Sequence, residues 1–271
     1  MIKINYIGNF GNCMFQYCYA RILAEENGLN LQTDFKFNDI IETTNHLNFK
    51  ETKSDNTILL DDLGYFNHKN INGSTSLKLS LENNYLVSGY FQDAEFFNNY
   101  EQRIKTFFKL PDINENKEDT LILVRLGDFI HEGINSEIIH FDYYNKLIDN
   151  LPGKKYFLIS SYKGSNTISD NAYEKKYLDR IIKEHDIKIL AGNSKLDLAT
   201  HLTFNNIICS NSTFSWWGCF LGNAKNIITP KKFGYFGAQE VKSHGIHINN
   251  LWNIKNISRA FDNNFVNILE L

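Results

Sequence analysis

The stretch Ser210-Asn211-Ser212-Thr213-Phe214-Ser215-Trp216-Trp217 follows directly on the apolar run Asn206-Ile207-Ile208-Cys209. A strand-like run thus feeds hydroxyl and amide residues, and these feed a second apolar run ending at Leu221. That order predicts a buried strand, a tight turn and a helix. The first N–H groups of a helix have no intrahelical partner, and its dipole adds positive potential there, so such a start accepts anions. Ser212 and Thr213 bring hydroxyl donors to the same place, and a diphosphate suits it. An ordinary N-cap, for which Ser and Thr are common anyway, is the competing reading. A second candidate lies upstream, where Leu121-Ile122-Leu123-Val124 reads as a buried strand with Arg125 at its end and Asp128 close behind. A guanidinium clamps phosphate through two parallel hydrogen bonds. Taken alone, Arg125 and Asp128 equally suit a local ion pair that closes a turn.

The elements that would position these groups follow from periodicity. Beyond residue 119 the pattern predicts strands at 120–125, 155–160, 187–190, 206–210 and 226–229. Helices are expected between them at about 141–151, 172–185, 195–203 and 213–222. Repeated βα units predict a doubly wound parallel sheet, whose ligands bind beyond the carboxyl ends of its strands. Arg125 and residues 210–213 both leave such ends, so they are expected to share one edge. The N-terminal part predicts strand 3–7, a glycine turn over Gly8-Asn9-Phe10-Gly11-Asn12, a helix from Met14 to about Asn27 closed by Gly28, and strand 29–33. Strand 85–91 and helix 94–108 follow, while residues 36–85 give no clear element. The polar stretch 111–119 marks a domain boundary. Gly8 and Gly11 alone do not make the GxGxxG dinucleotide fingerprint.

The bulk numbers narrow the class. With 271 residues, 42% hydrophobic and 22% charged, the chain suits one large packed domain or two of ordinary size. A net charge of −3 lacks the basic footprint of a nucleic-acid binder. Cys13, Cys18, Cys209 and Cys219 form no CxxC pair and sit among apolar neighbours, so they read as small buried thiols. The histidines do not cluster at metal-ligand spacings, no DxD occupies a metal-binding turn, and Asp61-Asp62 is merely an adjacent pair. No run approaches the roughly 18 apolar residues of a membrane span. The opening residues alternate like a strand and lack the apolar core of a signal peptide. The cytoplasm, or peripheral association with the cytoplasmic face of a membrane, is the expected location.

Several segments together carry a resemblance. Gly8-Asn9-Phe10-Gly11-Asn12-Cys13-Met14-Phe15-Gln16-Tyr17 resembles the GxxGNQMFQY opening of the α-1,2-fucosyltransferase family. Gly89-Tyr90-Phe91-Gln92, with Phe96-Phe97 after it, resembles that family's GYFQ…YF segment. Val124-Arg125-Leu126-Gly127-Asp128-Phe129 resembles its HxRRGDY donor motif, and residues 210–218 resemble its SNSSFSWWG block. The segments occur in family order.

The resemblance implies an α/β, GT-B-like architecture: two facing Rossmann-like domains with parallel sheets. Residues 1–115 would form the acceptor-side domain and residues 116–271 the nucleotide-sugar-binding domain. It implies an inverting, metal-independent, galactoside α-1,2-fucosyltransferase-like enzyme of glycan biosynthesis. Its partners would be GDP-fucose and a glycan acceptor, with no nucleic acid and no further cofactor. Arg125 takes the place of the diphosphate contact and, with Asp128, of the catalytic pair. Asn211, Ser212 and Thr213 fall in the phosphate-receiving block, and Asp197 falls where a guanine contact is expected. Gly11, Asn12, Gln16 and Gln92 fall on the acceptor side of the cleft.

Three departures qualify this. Leu123 replaces the motif histidine, Leu126 the second arginine and Cys13 the usual glutamine. A lost charge-assisted contact is worth roughly 1.5–3 kcal/mol. A related transferase using another nucleotide sugar therefore stays open, as does a non-catalytic glycan-binding relative. A Rossmann-type oxidoreductase is disfavoured by the missing fingerprint.

Overall fold

The computed structural model describes residues 1–33, 56–61, 77–109, 117–127, 129, 138–161, 164–165, 172–182, 185–190, 194–229 and 259–260. The described residues fall into two compact units, one running to Lys109 and one starting at Lys117.

The first unit contains β1 (Ile2–Ile4), α1 (Phe10–Asn27), β2 (Leu31–Gln32), β3 (Thr57–Asp61), β4 (Asn84–Ser88), α2 (Ala94–Asn99) and α3 (Glu101–Lys105). Its strands lie in the order β2-β1-β4-β3 and are parallel throughout. Periodicity alone assigned nothing to Ile58-Leu59-Leu60; pairing with β4, Ile58 opposite Tyr85, makes it a strand. Helix α1 starts at Phe10, not Met14, so Gly11 and Asn12 lie in its first turn and not in the preceding loop. Gly28 closes it in the left-handed region, φ 64°, with its N–H on Ala24 O. Strand β4 ends at Ser88, short of the expected Phe91. The expected helix 94–108 breaks at Tyr100, after two asparagines of low helix propensity.

The core of this unit is aromatic. Phe15 meets Phe97 edge-on at 4.9 Å, and Tyr19 stacks on Phe91 at 4.1 Å. Arg21 is 3% exposed, yet it is satisfied. Its guanidinium lies 4.0 Å over Phe107, donates to Tyr17 Oη at 2.8 Å and pairs with Glu25 at 3.0 Å.

The second unit contains β5 (Lys117–Arg125), α4 (Phe141–Ile148), β6 (Lys155–Ser161), β7 (Gly164–Ser165), α5 (Ala172–Ile182), β8 (Ile187–Ile189), α6 (Ser194–His201), β9 (Phe204–Ile208), α7 (Thr213–Leu221), β10 (Asn226–Thr229) and β11 (Arg259–Ala260). The sheet runs β11-β10-β9-β5-β6-β7, with β8 also on β6. Every pair is parallel except β6 with β7. Residues 121–124 are buried on both faces, as expected of a central parallel strand covered by helices. Asn206 is fully buried in β9 because its amide donates to Glu118 O at 2.9 Å and Asp119 O at 3.3 Å. Those carbonyls sit where the β5–β9 register shifts, between Lys117 and Thr120. The fold is thus α/β with two separate, mainly parallel sheets.

Chain direction places the site. From β5 the chain moves outward to β6 and then β8, and returns to β9 on the other side of β5 before reaching β10. The order therefore reverses between β5 and β9. In the first sheet the chain runs from β1 outward to β2, crosses to the far edge at β3 and returns inward to β4, beside β1.

Candidate functional site

Strand β5 stays paired with β6 as far as Arg125 opposite Ser160, but it leaves β9 after Ile122 opposite Ile208. Strand β9 meanwhile follows β10, with Cys209 N–H on Ile228 O at 2.8 Å. The carboxyl ends of β5 and β9, where the strand order reverses, are the place where doubly wound sheets have a ligand crevice. Two buried tyrosines of α4 tie into the ends of both strands. Tyr143 Oη donates to Cys209 O at 3.2 Å, and Tyr144 Oη donates to Leu123 O at 3.0 Å. Burial pushes both phenols well above their usual pKa, so both remain neutral donors. Sequence reading missed this pair, because adjacent tyrosines on an amphipathic helix look like any other core residues.

Arg125 emerges on one side of the crevice, half-buried, with its guanidinium 5.4 Å over the Phe129 ring. Leu123 and Leu126 are 3% and 0% exposed, so the positions of the motif histidine and second arginine are core positions in this chain. Asp128 lies outside the described residues, as does Asp62; Asp61 ends β3.

Helix α7 emerges on the other side. Ser212 is its N-cap in extended conformation, and its Oγ accepts the Phe214 N–H at 3.2 Å. The ordinary-cap reading therefore holds for this oxygen, while its O–H retains a proton to donate. By helix geometry the Thr213 and Ser215 N–H groups have no intrahelical acceptor. Ser215 Oγ and Ser210 Oγ lie 2.9 Å apart, pinning the first turn to the end of β9. No acidic residue in that turn offsets the dipole. Residues 211–214 are partly exposed and 215–221 are buried, so only the helix start reaches solvent.

The glycine ending this block has a packing role. A Cβ at Gly218 would lie 2.2 Å from His201 Cδ2, so its absence lets α6 approach α7. His201 is 1% exposed, with Nδ1 2.7 Å from Asp197 O and its ring edge-on to Phe214 at 5.2 Å. Burial lowers its pKa to about 4, so it is neutral near pH 7. Asp197 itself is 4% exposed in α6.

The first-unit candidates lie past the carboxyl ends of the paired strands β1 and β4. Gln92 Nε2 donates to Asn12 Oδ1 at 3.0 Å, joining two motifs that are distant in sequence. Gly8 has φ 81°, and a Cβ there would lie 2.3 Å from Asn12 Nδ2. Gly11 is buried in the first turn of α1. Gln16, expected to face the cleft, is fully buried instead. Its Oε1 accepts the Ile7 N–H at 3.1 Å and its Nε2 donates to Ile7 O at 2.9 Å, so it clamps the β1–α1 connection. Among the described residues no group of three or more His, Cys, Asp or Glu is arranged to hold a metal, and no helix is long and apolar enough to cross a membrane.

Comparison with known proteins follows the same direction. The chain is 26% identical over 182 residues to the O-antigen biosynthesis glycosyltransferase WbnK of Escherichia coli. It is 25% identical over 194 residues to an α-1,2-colitosyltransferase of Escherichia coli. These matches cover 58% and 65% of this chain, but only 57% and 62% of the relatives' own lengths. No family model matches. A solved Arabidopsis thaliana FUT1 mutant in complex with GDP aligns with a TM-score of 0.44 at 11% identity, covering 83% of this chain and 69% of that chain. Over more than half its length the chain is thus similar in sequence to bacterial glycosyltransferases, in line with the α-1,2-fucosyltransferase resemblance of its motifs.

Proposed function

We propose that this protein is a glycosyltransferase that binds a nucleoside diphosphate sugar at the β5–β9 crevice. The donor in this reading is GDP-fucose, and the acceptor is a galactose-type hydroxyl of a glycan, joined in α-1,2 linkage. One observation supports it: the strand order reverses between β5 and β9, and Arg125 and the start of α7 follow the carboxyl ends of these two neighbouring strands. The division of labour is that of the GT-B class, with residues 116–271 holding the donor and residues 1–115 the acceptor.

The chemistry follows from charge. As the bond from the sugar carbon to the diphosphate oxygen breaks, that carbon gains positive charge and the leaving oxygen gains negative charge. Arg125 and the N–H groups of Thr213 and Ser215 meet the negative charge, with the Ser212 and Thr213 hydroxyls alongside. Asn211 borders the same turn, Asp197 serves the guanine side and Asp128 acts beside Arg125. Preorganised donors of this kind are worth roughly 3–4 kcal/mol apiece. In this reading they do the work a divalent cation does elsewhere. The acceptor hydroxyl oxygen attacks from the opposite face, which inverts the carbon, and its proton passes to solvent. The reaction takes place in the cytoplasm or at the cytoplasmic membrane face.

A second reading, transfer of colitose in place of fucose, is favoured by the colitosyltransferase relative and by Leu126 standing where the motif has arginine. Mass spectrometry of products from GDP-fucose and GDP-colitose, each offered with a panel of galactosides, decides between them. Transfer from GDP-fucose supports the first reading. Transfer from GDP-colitose alone supports the second, and glycan binding without transfer from either donor refutes both.

A further inference from the structure

Cys209 directly follows β9 and Cys219 lies in the last turn of α7, and their Sγ atoms are 3.2 Å apart. In the sequence they read as two small buried thiols; the fold makes them a pair. A disulfide holds its sulfurs about 2.05 Å apart, so the gap left to close is about 1.2 Å.

Both sulfurs are held where they are. Cys209 is fixed through its backbone on two sides: its N–H donates to Ile228 O at 2.8 Å and its C=O accepts from Tyr143 Oη at 3.2 Å. The helix that carries Cys219 is tied at its start by the 2.9 Å contact between Ser210 Oγ and Ser215 Oγ. Next to Cys219 it is seated by Gly218 against His201. Groups held this close meet at a high effective concentration, so once one sulfur is activated the other captures it before a molecule from solution does.

Burial decides which oxidant serves. Cys209 is 0% and Cys219 2% exposed, and burial holds the Cys209 thiol well above its usual pKa. Each thiol alone is therefore slow to react. Solvent comes nearest at residues 211–214, which are partly exposed and adjoin Cys209 through Ser210. A small neutral oxidant such as hydrogen peroxide suits that path, and a bulky disulfide does not.

We propose that Cys209 and Cys219 are a redox modification site, closed to a disulfide by a peroxide and reopened by a dithiol reductant. The Cys219 sulfur, the less deeply buried of the two, attacks a peroxide oxygen as thiolate. The O–O bond breaks, the departing hydroxide takes up the thiol's proton as water, and the sulfur becomes a sulfenic acid. Cys209 Sγ then attacks that sulfur. The S–S bond forms, the S–O bond breaks, and the oxygen leaves with the Cys209 proton as a second water. Two thiols and one peroxide thus give one disulfide and two waters, with two electrons passing from sulfur to oxygen. In a reducing compartment such bonds are transient and serve redox sensing. The loop closed by the bond spans residues 210–218 and includes the helix start proposed above to receive the diphosphate, so oxidation locks that turn to β9.

The test uses the full chain with Cys13→Ser, which removes the cysteine that is not buried and leaves three of the four thiols. Folded protein is treated with hydrogen peroxide and quenched, and its thiols are counted after denaturation. The expected result is a fall from three thiols to one, a peptide joining Cys209 to Cys219 in the mass spectrum, and recovery of both thiols with dithiothreitol. Adding Cys219→Ala leaves two thiols, and both should survive the same treatment. Three thiols remaining in the treated folded protein overturn the proposal, as does a disulfide that forms only at urea concentrations that unfold the chain. Thiol loss that dithiothreitol does not restore also overturns it. No nucleotide is present, so the result is independent of the donor site.

Discussion

Substituting Gly218 by alanine tests how the start of α7 is held in place. The added Cβ would lie 2.2 Å from Cδ2, 2.4 Å from Cγ and 2.8 Å from Cβ of His201. Contacts that short do not persist, so either the imidazole or the helix moves. The imidazole has nowhere easy to go: it is 1% exposed and anchored through Nδ1 to Asp197 O at 2.7 Å. Overpacking of a tight core costs about 1–3 kcal/mol. Loss of the anchoring hydrogen bond adds about 1 kcal/mol. Together the expected cost is about 2–4 kcal/mol, which urea unfolding at constant m resolves easily. In a His201→Ala background the two ring contacts are gone, and only the 2.8 Å approach to Cβ remains. There the same substitution should cost less than about 1 kcal/mol, so the double-mutant cycle shows strong coupling. An equal cost in both backgrounds refutes the packing argument, as does a cost below about 0.5 kcal/mol in the wild-type background.

Other expectations concern the same elements. His201 titrates near 4 in the folded chain, against about 6.5 when unfolded, so the unfolded state takes up its proton first as pH falls. Stability should therefore decline between about pH 6.5 and 4, by about 3 kcal/mol from this group, and stop declining from this cause below that. His201→Asn keeps an N–H for Asp197 O and cannot titrate; melting temperature against pH should lose this acid limb, and an unchanged limb contradicts the assignment. Gln16→Leu leaves the Ile7 N–H and C=O without their clamp. It should lower stability by about 2–4 kcal/mol in urea unfolding while the helix content of α1 is retained; a change under 0.5 kcal/mol would contradict the clamp.

Periodicity located the second unit well because its strands are buried on both faces and its helices are amphipathic. Strands β9 and β10 and helix α7 lie within two residues of expectation, and β5 starts three residues earlier than expected. The first unit was harder to read. Helix α1 starts early because its first turn is Phe10-Gly11-Asn12, residues that read as a loop until the Gln16 clamp and the Gly8 turn are seen. Strand β3 is exposed along much of its length, so no burial alternation announced it. In the candidate site, Arg125 and residues 210–213 were legible as strand-end residues of anion-binding type. Tyr143, Tyr144 and His201 were not, since their roles depend on carbonyls and a glycine far away in the chain. Gln16 has the residue type of a ligand contact, and only its two bonds to Ile7 show that it is occupied.

The central claim is that Arg125 and the start of α7 hold a nucleoside diphosphate at the β5–β9 crevice. Calorimetric titration of GDP into wild type and Arg125→Ala tests it most directly. A charge-assisted phosphate contact is worth roughly 1.5–3 kcal/mol, so the variant should bind GDP about 10- to 100-fold more weakly with its melting temperature unchanged. Equal affinity in the two proteins, or a wild type that does not bind GDP, would contradict the account.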